Sequence, residues 1–357
     1  MVHNENEKFA NKESGPIPPF WRTRLRDIDD ELGQVKIGTV IDLGESAGGR
    51  EIKAVVYGDQ EPYPRRANYN SACGAGDLAS YKSMDKDSRK TLLLVGGIHG
   101  GELEGIAAVL NLIHALETGE DHRGKRHDEL LELLRQCRLV LIPCMNPDGR
   151  ARIPLRSFAG LSMEQMRYYV QGTWKNGELC NWPDCKKVHP MKDEAGFLGG
   201  YFNDDGINLM HDNFFLPMAE ETRSLLRLAD EERVDASVLL HGGANCTNFI
   251  VPIRYAPKYI QQVQHQFALH VKAAHDREHI PFDVSGNWED GAAYPPPSFN
   301  LTSALHHISG GMSMTFESNT MLNAPGAQYS YDQILDSHFI LFAELIRFQL
   351  KGAGIPT

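Results

Sequence analysis

Residues 91–102, which read TLLLVGGIHGGE, decide the fold class of this chain. The first five residues are apolar or β-branched, as is typical of a strand that is buried on both faces of a sheet. Glycines then surround two ionisable residues, His99 and Glu102, and apolar side chains at helical spacing follow. A buried strand that turns sharply into an amphipathic helix indicates an α/β domain with a largely parallel central sheet.

The rest of the chain alternates in the same way. After a hairpin within residues 35–57, helices and strands follow one another to the C-terminus. Further strands are predicted at 138–144, 234–240, 249–252 and 312–316, and further helices at 128–136, 218–231, 257–278 and 331–350. The pattern shows no internal repeat, so we expect a single α/β domain.

Two segments stand outside this alternation. Residues 1–35 are polar and proline-containing, and they predict an irregular N-terminal arm before a domain at 36–357. Residues 157–205 predict a long irregular insertion. The insertion either forms a lid or pocket wall, with Trp174 and Trp182 as wall residues, or is a structural insertion or subunit contact.

Composition excludes several functional classes. The 357 residues carry a net charge of −11, which argues against nucleic-acid binding. Apolar runs are too short to span a membrane. The polar N-terminus lacks the apolar core of a signal peptide and predicts a cytoplasmic protein, while a mature secreted or periplasmic form stays open. Homo-oligomerisation also stays open.

Six cysteines are few for a chain of this length. We interpret them as free thiols, with a loop disulfide between Cys180 and Cys185 as the alternative.

His99, Glu102 and His241 are the candidate metal ligands. His99 and Glu102 lie three residues apart after a buried strand, and His241 ends the apolar strand VDASVLL. Imidazole and carboxylate groups in a His₂Glu set are typical ligands of catalytic zinc, which keeps a fourth position for water. The alternatives are a helix N-terminus that Glu102 caps and a hydrogen-bonded histidine at a strand end.

Glu317 is the third ionisable residue at a strand end, within MSMTFES. A carboxylate there is costly unless it has a partner or a chemical role. Beside a zinc-activated water it would act as general base. The alternative is an ion pair with a nearby arginine.

These motifs together resemble the M14 metallocarboxypeptidase family. The resemblance extends from about residue 37 to the C-terminus and rests on several ordered motifs. They are GGIHGGELEG at 96–105, MNPDGR at 145–150, VLLHGG at 238–243 and TFES at 315–318. The resemblance implies a mixed eight-stranded sheet between helices and one zinc ion per chain. It also implies that His241 is the third ligand and Glu317 the catalytic glutamate.

The resemblance assigns the remaining catalytic residues less directly. The family has an arginine after its N-P-D-G turn that stabilises the oxyanion, and Arg156 is our choice over Arg150 and Arg152. A family tyrosine covers the site from a loop before the catalytic glutamate, and Tyr294 matches that position.

The sequence departs from the family where true carboxypeptidases carry an Asn-Arg pair for the substrate carboxylate. Met210 is followed here by His211, Asp212 and Asn213, and the arginine is missing. These three residues either contact a polar or cationic group of the substrate, or they orient the residues of the site without contacting the substrate.

We therefore predict a zinc-dependent hydrolase that cleaves a peptide or a small amide. The missing arginine keeps open a deacylase or amidase of a small N-acyl substrate. A zinc-binding module without catalysis and a structural protein on the same fold are the further alternatives. The retained Glu317 argues against the first, and the intact ligand set argues against the second.

Overall fold

The computed structural model describes residues 12–284 and 295–352. Its main sheet has eight strands in the order β1-β2-β4-β3-β7-β10-β8-β9, and β5 and β6 form a separate pair. The strands are β1 (Thr39–Glu45), β2 (Glu51–Tyr57), β3 (Thr91–Val95), β4 (Arg138–Ile142), β5 (Gly172–Trp174), β6 (Ala195–Leu198), β7 (Ala236–Gly242), β8 (Asn248–Val251), β9 (Phe282–Asp283) and β10 (Met312–Ser318).

The four central strands β4, β3, β7 and β10 run parallel to one another. Strand β2 pairs with β1 and β4 in antiparallel fashion, and β8 is antiparallel to β10. The predicted mixed, largely parallel eight-stranded sheet is confirmed. The carboxyl ends of the parallel strands lie at one edge, where α/β folds place their ligands.

Helices cover both faces of this sheet. They are α1 (Leu25–Leu32), α2 (Tyr69–Ala75), α3 (Glu104–Thr118), α4 (Asp128–Leu134), α5 (Pro147–Ala151), α6 (Met163–Val170), α7 (Glu220–Glu231), α8 (Lys258–Arg277), α9 (Leu301–Ser309) and α10 (Tyr331–Leu350). Leu92 and Leu94 of β3 pack in the core that includes α3, α8 and α10, whereas Leu93 and Val95 pack in the opposite core with α7 and α9. This two-sided burial explains the continuous apolar run of β3.

The N-terminal segment is more ordered than the sequence indicated. It contains α1, and the buried Trp21 packs against Tyr331 with ring centroids 4.8 Å apart. Glu31 at the end of α1 is hydrogen-bonded to His114 at 3.0 Å and to His122 at 2.8 Å. These contacts join residues 21–32 to the main domain, because apolar burial and paired charges hold the segment in place.

The segment at 157–205 is likewise not wholly irregular. It contains α6, which begins with a capping box of Ser162 and Gln165, and the short pair β5–β6. Elements of three to eight residues give little periodic signal, so the sequence pattern did not reveal them.

None of the helices in the described ranges is long and apolar enough to cross a membrane.

Candidate metal centre and active site

The turn after β3 places His99 and Glu102. Gly97 has a positive φ of 59°, and a side chain at Gly100 would collide with the backbone nitrogen of Arg150. Glycine therefore allows the chain to bend tightly against the 146–150 turn before α3 begins. As a result, the imidazole of His99 and the carboxylate of Glu102 face each other, with Nδ1 2.8 Å from Oε1.

His241 joins this pair from β7. Its Nδ1 atom lies 2.7 Å from Oε2 of Glu102, and the ligand atoms of His99, Glu102 and His241 all lie within 4.8 Å of one another. All three residues are buried. The predicted ligands therefore converge, each with a nitrogen or carboxylate oxygen directed to one point.

The chemistry of this cluster fits a cation. Oε2 of Glu102 has no hydrogen-bond partner among the described residues, although Nδ1 of His241 is so close. Such a short contact without hydrogen-bond geometry is expected when two atoms share a metal ligand sphere. Burial alone would raise the pKa of Glu102, but its contacts with His99 and His241 lower it to about 2.

Asn208 and Tyr201 orient His99. Nε2 of His99 lies 3.0 Å from Oδ1 of Asn208, and the ring of Tyr201 stacks on the imidazole at 3.6 Å. The oxygen of Asn208 accepts the Nε2 hydrogen, which leaves the Nδ1 lone pair free for a metal. Metal-binding histidines commonly have such a supporting hydrogen bond on the other ring nitrogen.

Glu317 lies next to His241 on the neighbouring strand β10. It is partly exposed to a cavity of about 570 Å³ that Glu102 also lines. Burial of the carboxyl group raises the pKa of Glu317 to about 7, and Glu102 adds to this effect while His241 and Lys186 oppose it. No arginine or lysine in the described ranges lies within ion-pair distance of Glu317, so the ion-pair alternative finds no support there.

Many of the residues that line the cavity are apolar. Helix α6 contributes Met163, Met166, Arg167 and Val170, and strand β8 contributes Phe249 and Val251. Trp182, which the sequence suggested as a wall residue, also lines this cavity, whereas Trp174 belongs to β5 and packs against the core. The segment at 157–205 therefore forms part of the wall.

Arg156 is not where the sequence analysis expected it. Its Nε atom lies 3.6 Å from Oε1 of Glu13, and its carbonyl oxygen accepts hydrogen bonds from Trp21 and Thr23. It does not line the cavity. The N-terminal segment, which we had expected to be irregular, packs here and contacts Arg156 through Glu13, Trp21 and Thr23.

The two rival arginines are also occupied elsewhere. Arg150 is buried and donates to the carbonyl oxygens of Thr23, Ile153 and Leu155. Arg152 donates to backbone carbonyls around residue 200 and pairs with Asp204 at 3.2 Å. Both arginines stabilise the loops around the site.

Arg167 is the arginine that sequence reasoning missed. It lies on α6, lines the cavity together with Glu102 and Glu317, and has no carboxylate within 4 Å among the described residues. Met163, Met166 and Val170 recur at helical spacing, but over a helix of eight residues this signal is too weak to show that Arg167 faces a cavity.

The residues that replace the missing Asn-Arg pair have different roles. Asp212 is buried and accepts hydrogen bonds from the backbone nitrogens of Asn213, Met218 and Ala219, so it organises the start of α7. Asn213 is exposed. We therefore withdraw Asp212 as a substrate contact, because its oxygens are already used.

His211 lies close to the metal cluster. Burial lowers its pKa to about 3, and the charges of Lys186, His99, His241 and His189 contribute to this effect. A neutral His211 can donate a hydrogen bond to a substrate or accept one from it, but it has no charge to neutralise a carboxylate. Tyr294, the predicted covering tyrosine, lies outside the described residues.

The comparisons with known proteins agree with this geometry. The sequence model of the zinc carboxypeptidase family, Peptidase M14, matches residues 34–332. The chain belongs to this family, whose members are metallopeptidases that bind zinc. The comparison with curated protein sequences gave no significant match.

Solved structures share the fold at low sequence identity. The metallo-carboxypeptidase from Burkholderia cenocepacia aligns with a TM-score of 0.56 and 15% identity over 90% of this chain and 68% of that one. The Pseudomonas aeruginosa metallo-carboxypeptidase in complex with (2-guanidinoethylmercapto)succinic acid gives 0.53 and 16%, with coverages of 90% and 68%. Thrombin activatable fibrinolysis inhibitor gives 0.56 and 11%, with coverages of 98% and 83%.

Proposed function

We propose that this chain hydrolyses a peptide or amide bond at one zinc ion held by His99, Glu102 and His241. The observation that carries the proposal is the convergence of the ligand atoms of His99, Glu102 and His241, which all lie within 4.8 Å of one another, with Nδ1 of His241 2.7 Å from Oε2 of Glu102. With Nδ1 of His99 on the other oxygen of Glu102, this is a donor set of two imidazoles and one carboxylate. Such a set suits catalytic zinc.

Zinc bound there would polarise the scissile carbonyl and lower the pKa of water. Glu317 then takes a proton from the attacking water, while the water oxygen forms a bond to the carbonyl carbon. Glu317 passes this proton to the leaving nitrogen as the C–N bond breaks, so the carboxylate is regenerated. The position of Glu317 beside His241 in the sheet supports this role.

Arg167 takes the role that the sequence analysis gave to Arg156. Its place in the wall of the cavity that Glu102 and Glu317 also line suits a guanidinium that stabilises the negative charge on the carbonyl oxygen. We retain Tyr294 as the residue that covers the substrate and His211 as a neutral hydrogen-bonding partner of the substrate.

A second candidate function is hydrolysis of a small N-acyl substrate. The absence of an arginine at 210–213 and the apolar wall from α6 and Trp182 favour it, because the wall suits an acyl chain or an apolar side chain. Both functions use the same zinc ion and the same general base, and both break the C–N bond of an amide.

A hydrolysis screen on metal-analysed protein tests the proposal. Zinc-loaded protein should release amine from N-acyl peptides or N-acyl amino acids, and removal of zinc should abolish that release. Protein that carries one zinc per chain and hydrolyses no substrate of either class would favour the non-catalytic binding module instead.

A further inference from the structure

We propose that Lys186, held against the indole ring of Trp182, binds an anionic group of the substrate, in particular a carboxylate. Lysine from the 157–205 segment would thus replace the arginine that is missing at 210–213. The inference rests on the proposed function, because it concerns the substrate of the same site.

The residues at 210–213 cannot bind a carboxylate as a cation would. Met210 is buried, Asn213 is exposed, and Asp212 uses both oxygens on backbone nitrogens. His211 is neutral at physiological pH because its pKa is lowered to about 3 by burial and by its positive neighbours. A substrate carboxylate that enters beside Glu102 and Glu317 therefore needs a positive charge from another segment.

Lys186 supplies such a charge. It is half-buried, and no carboxylate of the described residues lies within ion-pair distance of its ammonium group. Its ammonium group lies over the ring of Trp182, a residue that lines the same cavity as Glu317. Enclosing an unpaired charge is unfavourable, and a bound carboxylate would remove that cost.

Trp182 fixes the position of this lysine. The ammonium nitrogen lies 4.7 Å from the indole centroid, which is within the range of a cation–π contact. Trp182 itself lines the cavity that contains Glu317. Because Trp182 contacts both the ammonium group and the cavity, Lys186 is placed beside the part of the cavity that Trp182 lines.

The neighbouring Lys187 provides a matched control. It is exposed and pairs with Asp184 at 2.7 Å, whereas the cation–π contact with Trp182 is made by Lys186. Removal of Lys187 changes the net charge by the same amount as removal of Lys186. A difference between the two variants therefore reports the position of the charge rather than its presence.

The experiment compares an N-acyl dipeptide with a free carboxylate and the same dipeptide as its C-terminal amide. Lys186→Ala should lower kcat/KM for the acid by roughly tenfold to a hundredfold and change that for the amide less than about twofold. Lys186→Arg should retain most of the preference for the acid. Lys187→Ala should behave as the unsubstituted protein. An equal loss on acid and amide, or no loss on either, would overturn the inference.

Binding separates this inference from the proposed function. If the unsubstituted protein hydrolyses neither dipeptide, the proposed function fails, and calorimetry with the free acid and its amide still tests Lys186. Stronger binding of the acid that Lys186→Ala abolishes, with zinc content and melting temperature unchanged, supports the inference. Equal binding of the acid by the unsubstituted protein and Lys186→Ala contradicts it.

Discussion

His241 and Glu317 are paired residues in the register of the parallel strands β7 and β10. Residues that pair in adjacent strands direct their side chains to the same face of a sheet. A candidate metal ligand and a candidate base are therefore held side by side by the hydrogen-bonded backbone of the sheet. This placement gives rigid support to both groups.

Glu317→Gln should abolish turnover and leave the metal bound. The amide keeps the shape of the side chain but cannot accept the proton from water, so we expect kcat to fall by at least about 10²–10⁴-fold. Steady-state kinetics and zinc analysis on the same preparation check this. A variant that retains its rate would show that another group is the base.

The activity should fall as the pH is lowered. Glu317 must be deprotonated to act as a base, and burial raises its pKa to about 7. A bound cation favours the carboxylate, so the acidic limb of kcat/KM should have a midpoint between about 5.5 and 7. A profile of kcat/KM between pH 5 and 9 measures this midpoint, and a flat profile down to pH 5 would contradict the assignment.

Arg167→Ala and Arg156→Ala form an informative pair. Loss of Arg167 should lower kcat/KM by roughly 10²–10³-fold if the guanidinium stabilises the oxyanion. Loss of Arg156 should leave kcat/KM nearly unchanged, because this residue pairs with Glu13. Kinetics with one substrate compares the two variants, and the opposite order of effects would restore Arg156 to the active site.

Asp148→Asn should destabilise the fold. The buried carboxylate accepts hydrogen bonds from Ser46 and Arg50 and from the backbone nitrogens of Gly48 and Asp204. Burial alone would raise its pKa, but these hydrogen bonds hold the pKa of Asp148 below its ordinary value. We expect a loss of about 2 kcal/mol in the free energy of unfolding at pH 7.

The pH dependence of this loss of stability shows whether the ionised carboxylate of Asp148 is responsible for it. A carboxyl group with a lowered pKa in the folded state contributes stability above its unfolded pKa, and this contribution disappears as the pH falls through the folded value. The gap between the unsubstituted protein and Asp148→Asn, measured by urea unfolding, should therefore shrink below about pH 4. If the difference in the free energy of unfolding does not change with pH, the ionised form of Asp148 is not the source of the stabilisation.

The sequence was sufficient to predict the sheet and the convergence of four residues of the candidate site. Apolar strands that end in His241 and Glu317, and the glycine-rich turn at His99 and Glu102, combine a strong burial signal with polar residues at fixed positions. Because parallel strands end at one edge of a sheet, local patterns predicted a long-range cluster.

The residues of the 157–205 segment could not be predicted in this way. Arg167 lies on an eight-residue helix, and Lys186 lies on a three-residue turn of 3₁₀ helix. Elements this short carry little periodicity, so the sequence does not indicate which of their side chains face the cavity. Arg156 was misplaced for a related reason, since its partner Glu13 lies far away in the sequence.

Reconstitution with zinc tests the central claim most directly. The metal should first be removed with a chelator, and hydrolysis should then be measured as zinc is added in known amounts. We predict no activity without metal and a linear rise that ends at one zinc per chain, with His241→Ala showing neither binding nor activity. Full hydrolysis by the metal-free protein, or equal zinc binding by His241→Ala, would contradict the account.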